Sequence, residues 1–550
     1  MTMTPSHERR GCDALLHAIK TAGVSRIFTL SGNHIMPVFD AAFDAGIPLI
    51  HTRHEAAAVH MADAFARISG EVGVALVTGG PGHANAVSAL YTALMAEAPV
   101  VLLSGHAPHA QLGKGAFQEM RQADMAEPVC KAAWTCASAD AVANDFARAV
   151  RIARSGRPGP VHLSLPTDVL EKAVGKMASC VAQDFAAEAM PLDAASANTI
   201  MAALKGARRP VILAGPSCLT RAGRARLAAL QAACAIPVVG MDSPRGIADP
   251  RLGAFAQVLA KADAVLLLGK RLDFTLKFGI APSIAADAAV FQIDADASEI
   301  ERSRKALGSR LQVTASADVP SALAALMAQL PQGASNNESD WLSQFDEAVA
   351  WRPPAWQQAT SVLADRLHPV QMLRPLQAAL DSHPDAVLVC DGGEIGQWAS
   401  ACLDAPHRVI NGVAGAIGSA LPYALAARCA AAPGAPVIAV MGDGTVGFHI
   451  AEFDTAVRYG LDFVAVVGND ARWNAEYQIQ LRDYGAARLI GCELQPSRYD
   501  AVAIAFGGHG EQVSSAGEMA PAVQRARDSR LPACLNVMIE GLPAPAMQRA

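Results

Sequence analysis

Two apolar runs that each stop at a glycine followed by an acid or an amide constrain the fold of this chain most. Residues 435–441 lead into Gly442-Asp443-Gly444-Thr445, and residues 463–467 lead into Gly468-Asn469-Asp470. Short runs with no charged residue read as strands buried on both faces, the habit of parallel sheets. Between them, residues 448–458 carry Ile450, Phe453 and Val457 at the spacing of a helix packed along one face. Strand, helix and parallel strand need a crossover, so both strands end at the same sheet edge. Asp443 and Asp470 then become neighbours, with Asn469 beside them. Their oxygens, with a nearby backbone carbonyl, could hold a divalent cation and leave positions open for phosphate. Magnesium favours that arrangement. Gly442 and Gly444 let phosphates approach the backbone closely, and a helix N-terminus favours their charge.

The same alternation runs through all 550 residues, a length that calls for about three cores. Hydrophobic residues make up 52% of the chain and charged ones 17%, which suits buried sheets covered by alanine-rich helices. Strands are expected at 26–30, 74–78, 100–104 and 161–165, then at 210–214, 236–239, 264–268 and 290–293. A third set begins at 386–390 and includes the two runs above. The expected fold is α/β: three doubly wound domains with mostly parallel sheets, over residues 1–175, 190–331 and 360–550. Residues 176–197 lack a clean period and read as a linker. Residues 331–339, rich in Ser and Asn with Pro331 and Gly333, read as another.

A net charge of −6 with no basic run gives no reason to expect nucleic acid or an anionic membrane as partner. The first 20 residues are polar and charged, unlike a signal peptide, and no uncharged apolar stretch is long enough to span a bilayer. The 11 cysteines are scattered, form no CxxC pair and are odd in number. Reduced thiols in a cytoplasmic protein are the expectation.

A second group of residues carries chemistry near the N-terminus. Glu55 opens the alanine-rich stretch 56–68, and the strand at 74–78 runs into Gly79-Gly80-Pro81-Gly82 and then His83-Ala84-Asn85. A glutamate in apolar surroundings suits proton transfer. By itself, the same residue fits a solvated side chain favoured by the helix dipole. Two loops add candidates: Ser31-Gly32-Asn33-His34-Ile35 and Ala116-Phe117-Gln118-Glu119.

Gly442-Asp443-Gly444 with Asn469 at this spacing resembles the signature of thiamine-diphosphate-dependent enzymes, Gly-Asp-Gly followed by Asn-Asn; Asp470 stands where the second Asn is usual. The order Arg53-His54-Glu55, helix, strand, Gly-Pro-Gly, Asn85 resembles the pyrimidine-binding domain of the same superfamily. The resemblance covers nearly the whole chain and implies a pyruvate-oxidase/decarboxylase-like architecture, with thiamine diphosphate and Mg2+ as cofactors. It implies metal ligation by Asp443, Asp470 and the backbone carbonyl of Arg472, and a catalytic Glu55 acting on the aminopyrimidine. Gly82, Asn85, Gly392, Gly393, Glu394, Gly415, Ile417, Gly442, Gly444, Thr445 and Trp473 would bind cofactor, with Ile417 as the wedge that keeps it bent. Glu476 and Tyr477 are expected to face the pocket with Trp473. For Glu394 a substrate-handling role and a solvent-facing position both remain open.

Within the superfamily the loop bearing His34 is similar to that of benzaldehyde lyase, where a histidine serves as acid/base. Gln118 matches a glutamine that points at the reacting carbonyl in benzaldehyde lyase and acetolactate synthases. The resemblance thus implies a C–C lyase/carboligase acting on 2-hydroxy ketones, aldehydes or 2-oxo acids, by way of a C2 ylide and an enamine. Alternatives are an acetolactate synthase-like transferase, a 2-hydroxyacyl-CoA lyase, favoured by Gly269-Lys270-Arg271-Leu272-Asp273, and a non-catalytic homologue. The segment between Gly240 and Ala254 is short compared with flavin-dependent acetolactate synthases, so FAD is not expected. Close relatives build each site across a dimer interface, which implies a homodimer or homotetramer.

Overall fold

The computed structural model describes residues 9–175, 180–330 and 340–549. They contain three sheets, and every strand pairing within them is parallel. The chain divides into two compact units, Met1–Glu188 and Ala189–Ala550.

The first unit holds β1 (Ile27–Thr29), β2 (Leu49–His51), β3 (Gly73–Val77), β4 (Val100–His106), β5 (Ala132–Thr135) and β6 (Val161–Pro166), in the order β2-β1-β3-β4-β6-β5. The second unit holds two sheets. One contains β7 (Pro210–Ala214), β8 (Val238–Gly240), β9 (Ala264–Leu268), β10 (Ala289–Asp294) and β11 (Leu311–Ser316), ordered β11-β10-β9-β7-β8. The other contains β12 (Val387–Cys390), β13 (His407–Ile410), β14 (Val437–Gly442), β15 (Val464–Asn469), β16 (His509–Val513) and β17 (Ala533–Met538), ordered β13-β12-β14-β15-β17-β16. The first and third sheets therefore share one topology. In each, the chain reverses its direction of travel between the first and third strands, and ligands of open parallel sheets bind in the crevice at such a point. The loops at that place carry His34 and Gly79-Gly80 in the first sheet, and Gly392-Gly393 and Gly442-Asp443 in the third.

Local structure departs from the sequence reading in a few places. The helix expected over 448–458 begins at Asp443 itself and is two helices, Asp443–His449 and Glu452–Tyr459. Residues 176–179 and 331–339 lie outside the described residues, so the second linker is not seen. Within the first, Ala182–Phe185 forms a 3-10 turn that buries Phe185, and the helix Ala194–Gly206 starts before residue 197. Strands β5, β11, β13, β16 and β17 were not anticipated. The first four lie at sheet edges, where one side needs no strand partner and sequences are shorter or more polar, as in Leu311–Ser316 and His509–Val513, whereas β17 is a buried inner strand between β15 and β16.

No helix among the described residues is long and apolar enough to cross a membrane. The second unit is knit by a buried ion pair between Arg408 of β13 and Asp242, 3.1 Å apart, just after β8. In the first unit two histidines sit in the interior, with the rings of His83 and His162 4.4 Å apart. His83 Nδ1 lies 2.9 Å from Ser104 Oγ. Burial pushes His83 down to about 4 and holds His162 well below the usual range, so both are neutral in the fold. The unfolded chain takes up these protons near pH 6.5, so the stability present above that pH is lost as pH falls towards 4. Urea unfolding followed from pH 7 to pH 4 is expected to lose about 3 kcal/mol through His83 alone. His83→Gln should flatten that part of the pH dependence.

Candidate active site

Strands β14 and β15 pair in register up to Gly442 and Gly468, which sets Asp443 beside the turn Asn469-Asp470. Asp443 is 2% exposed and Asp470 8%. Burial pushes both carboxyls up, and for Asp470 the charge of Asp443 adds to it. Asp443 Oδ2 is buried without a hydrogen-bond partner. Arg472 and Arg366 pull the Asp470 carboxyl the other way without outweighing burial and the charge of Asp443. Asn469 contributes differently: its Nδ2 donates to Ser497 O and Asn536 Oδ1, and its Oδ1 accepts from Ala471 N at 3.2 Å. The amide shapes the turn, in which Ala471 has φ 58°, and leaves Asp470 to face Asp443.

A cleft at this edge is lined by Gly442, Asp443, Gly444, Thr445, Asp470, Arg472 and Trp473, and on its other wall by Gly393, Glu394, Ile417 and Glu476. The Trp473 ring lies against Gly444, where an added Cβ would come within 2.6 Å of it, so no larger residue fits. Gly392, at φ 90°, lies behind Thr445, and Gly392 and Gly415 do not themselves line the cleft. Tyr477, expected to face the pocket, is not among the residues lining this cleft; the guanidinium of Arg472, which is, lies 4.2 Å over its ring.

Ile417 sits in a loop rather than at a helix start, because the helix begins only at Ala420. Asp391 holds that loop. Fully buried at the end of β12, it accepts hydrogen bonds from the backbone of Gly392, Gly418 and Ala420. Burial pushes its carboxyl up to about 6 against the pull of those N–H groups. Glu394 is 9% exposed and does not face solvent. Its carboxylate accepts from Ala544 N at 3.0 Å and stands 3.5 Å from Arg245 Nη2. The residues after β17 run beside the cleft as a strap. Gln478 binds Gly541 O, Asn474 binds Leu542 O and Trp398 binds Pro543 O.

In the first unit, Glu55 is the first residue of the helix Glu55–Ser69, and Asn85 Nδ2 donates to its Oε2 at 3.1 Å. Gly82 faces Glu55 Oε1 and the methyl of Thr78. Thr78 Oγ1 is 3.2 Å from His34 Nδ1, and the Phe117 ring stacks on the imidazole at 6.0 Å. Burial, and secondarily His106, pushes His34 down, so its ring is neutral at pH 7. Gln118 follows Phe117 in the left-handed region, at φ 57°. Glu55, Gly82, Asn85, His34 and Gln118 thus gather around the end of β3.

Three family models match the chain: thiamine pyrophosphate enzyme, N-terminal TPP binding domain over residues 9–125, central domain over 197–326, and C-terminal TPP binding domain over 391–537. Acetolactate synthase large subunit IlvG of Mycobacterium tuberculosis is 32% identical across 95% of this chain and 94% of that one. The chain belongs to the thiamine pyrophosphate enzyme family. 2-Hydroxyacyl-CoA lyase 2 of Homo sapiens is 29% identical, covering 96% of this chain and 90% of that one. Sulfoacetaldehyde acetyltransferase of Castellaniella defragrans is 30% identical, covering 96% and 91%.

The residues fit the family's cofactor. A partnerless buried carboxylate oxygen, a second acid beside it and a wall of glycine backbone suit a cation and its diphosphate. The segment from Asp391 to Glu394 was expected to line the cofactor, but the role of Asp391 as anchor of the Ile417 loop and the strap beside the cleft were missed by sequence reasoning. The acid just before Gly392-Gly393, at the end of a buried strand, was the available signal for Asp391, whereas the irregular strap offered none. Asp391→Ala would leave three buried amides without their acceptor, each worth roughly 1–3 kcal/mol. The expected result is a clear drop in melting temperature with weakened thiamine diphosphate binding, read by calorimetry and by cofactor titration.

Proposed function

We propose that this family member is a thiamine-diphosphate- and Mg2+-dependent C–C lyase/carboligase acting on 2-hydroxy ketones, aldehydes or 2-oxo acids. The observation that carries the reading is the buried pair Asp443 and Asp470, one of whose oxygens has no partner, at the ends of adjacent strands. Asp443, Asp470 and the Arg472 carbonyl would hold the cation. Among the described residues no group of three or more His, Cys, Asp or Glu is arranged to do so, so phosphate oxygens and water would complete its shell. When bound, thiamine diphosphate supplies a nucleophilic carbon and a sink for the electron pair of the C–C bond broken or formed.

The chain's own groups then have separate tasks. Asn85 occupies Glu55 Oε2, so Oε1, on the Gly82 side, is the oxygen that exchanges a proton with the pyrimidine. Neutral His34 takes a proton from a substrate hydroxyl or returns one through its ring. The Gln118 amide donates to the oxygen on which charge develops. Ile417 supplies apolar bulk beneath the cofactor, and the Gly393 and Thr445 turns cradle its diphosphate.

Turnover with thiamine diphosphate and Mg2+ added back to stripped protein tests the reading, with pyruvate, benzoin and a 2-hydroxyacyl-CoA offered in parallel. Aldehyde released from benzoin without CO2 from pyruvate is the expected result. Acetolactate with CO2 would instead favour the transferase reading, and cleavage of the CoA substrate alone would favour the acyl-CoA lyase.

The chain is also proposed to work as a homodimer or homotetramer in which the Glu55 half of one copy serves the Asp443 half of another. Co-expressed Glu55→Gln and Asp443→Ala chains, each inactive alone, should then recover about a quarter of wild-type activity, because half the pairs contain one intact site in two. No recovery in purified mixed dimers would sink this arrangement.

A further inference from the structure

Gln122 stands out among the polar groups that the proposed chemistry does not use. Its side chain is 1% exposed at the start of the short helix Gln122–Ala126, and both ends of its amide are engaged. Oε1 accepts from Gly80 N at 2.8 Å, and Nε2 donates to Gly105 O at 3.1 Å and to Ser164 Oγ at 3.0 Å. One side chain therefore ties the turn after β3 to the end of β4 and to β6.

Two of those partners touch residues assigned to the reaction. Gly80, at φ 59°, is packed so closely that a Cβ there would come within 2.6 Å of Gln118 O and 2.7 Å of Gln118 Cβ. A Cβ at Gly105 would come within 2.6 Å of His34 Cβ. Gln118 itself holds a left-handed conformation that a non-glycine residue adopts only when its surroundings impose it. The segment that carries it is pinned further. His106 Nε2 is 3.0 Å from Met120 O, and the Glu119 carboxylate accepts from the backbone of Gly113, Gly115 and Ala116.

We propose that Gln122 is a positioning residue: it locks the strained Gln118 segment against the Gly80 turn and so sets where the Gln118 amide points. The proposal rests on the role given to Gln118 above. Only an amide serves, because the site needs one acceptor for an N–H and two donors for oxygens. Leucine fills the space and removes all three hydrogen bonds, leaving Ser164 Oγ only His162 Nε2 at 3.5 Å. Glutamate keeps the acceptor for Gly80 and sets an oxygen against Gly105 O.

The test uses the full-length holoenzyme and two readouts, steady-state kinetics and hydrogen exchange over residues 78–84 and 113–124. In Gln122→Leu, kcat should fall about tenfold to a hundredfold with KM within about threefold of wild type, the pattern of a misplaced group. The Gly80 amide and the 113–124 segment should exchange at least about tenfold faster. Gln122→Glu should show the same changes to a smaller degree, and it carries the test should the leucine variant not fold. Gln118→Ala should lose kcat with exchange at Gly80 unchanged, and adding Gln122→Leu to it should cost little more. Unaltered exchange in the Gln122 variants, or faster exchange with full kcat, overturns the proposal. A fully active Gln118→Ala would strike the role of Gln118 itself, with the exchange data still reporting whether the clamp exists.

Discussion

Parallel pairing with crossovers is the constraint on which everything else depends. A helix must carry the chain back before each new strand, so every strand in a sheet ends at the same edge. The polar groups that follow the strands collect there, and each apolar run can be buried on both faces. In both the first and third sheets the chain reverses direction between the first and third strands, which opens a crevice at that edge. His34 and Gly80 flank one crevice; Gly392 and Asp443 flank the other.

One topology thus serves two chemistries. After β3 the turn bends on glycines and presents Gly82 and Asn85 to Glu55, a setting for exchanging a proton. At the corresponding place after β14 the helix begins on Asp443, and Asp470 stands beside it on the next strand. The first crevice is arranged around neutral, buried imidazole and amide groups. The second crowds two buried carboxyls, each pushed towards its protonated form, a setting that a bound cation would relieve. The difference lies in which side chains follow the strands, not in how the strands are arranged.

Around each crevice, groups that touch no substrate set the geometry. Asn469 spends its amide on Ser497, Asn536 and Ala471, so that Asp470 faces Asp443. Asp391 gathers the amides of Gly392, Gly418 and Ala420 and fixes the loop that bears Ile417. Each is a buried polar group with its hydrogen bonds met inside the protein, and removing one would expose the desolvation cost of its partners. Glu394 does this at longer range, binding Ala544 of the strap while standing near Arg245, which follows the central sheet's β8.

By itself the sequence determined the fold class, the parallel strands with long apolar runs and most of the residues that line the two crevices. It did so because burial on both faces and a glycine-acid turn leave local marks in the chain. The edge strands β5, β11, β13 and β16 carry weaker marks, since one side of each needs no strand partner. The helix start at Asp443, the packing of Tyr477 on Arg472 and the strap beside the cleft were decided only by tertiary structure. So were the roles of Asp391 and Gln122. Apart from Gly392, their partners lie 17 to 42 residues away in the chain, and which buried amide meets which carbonyl or carboxylate is settled only when the strands and loops have packed.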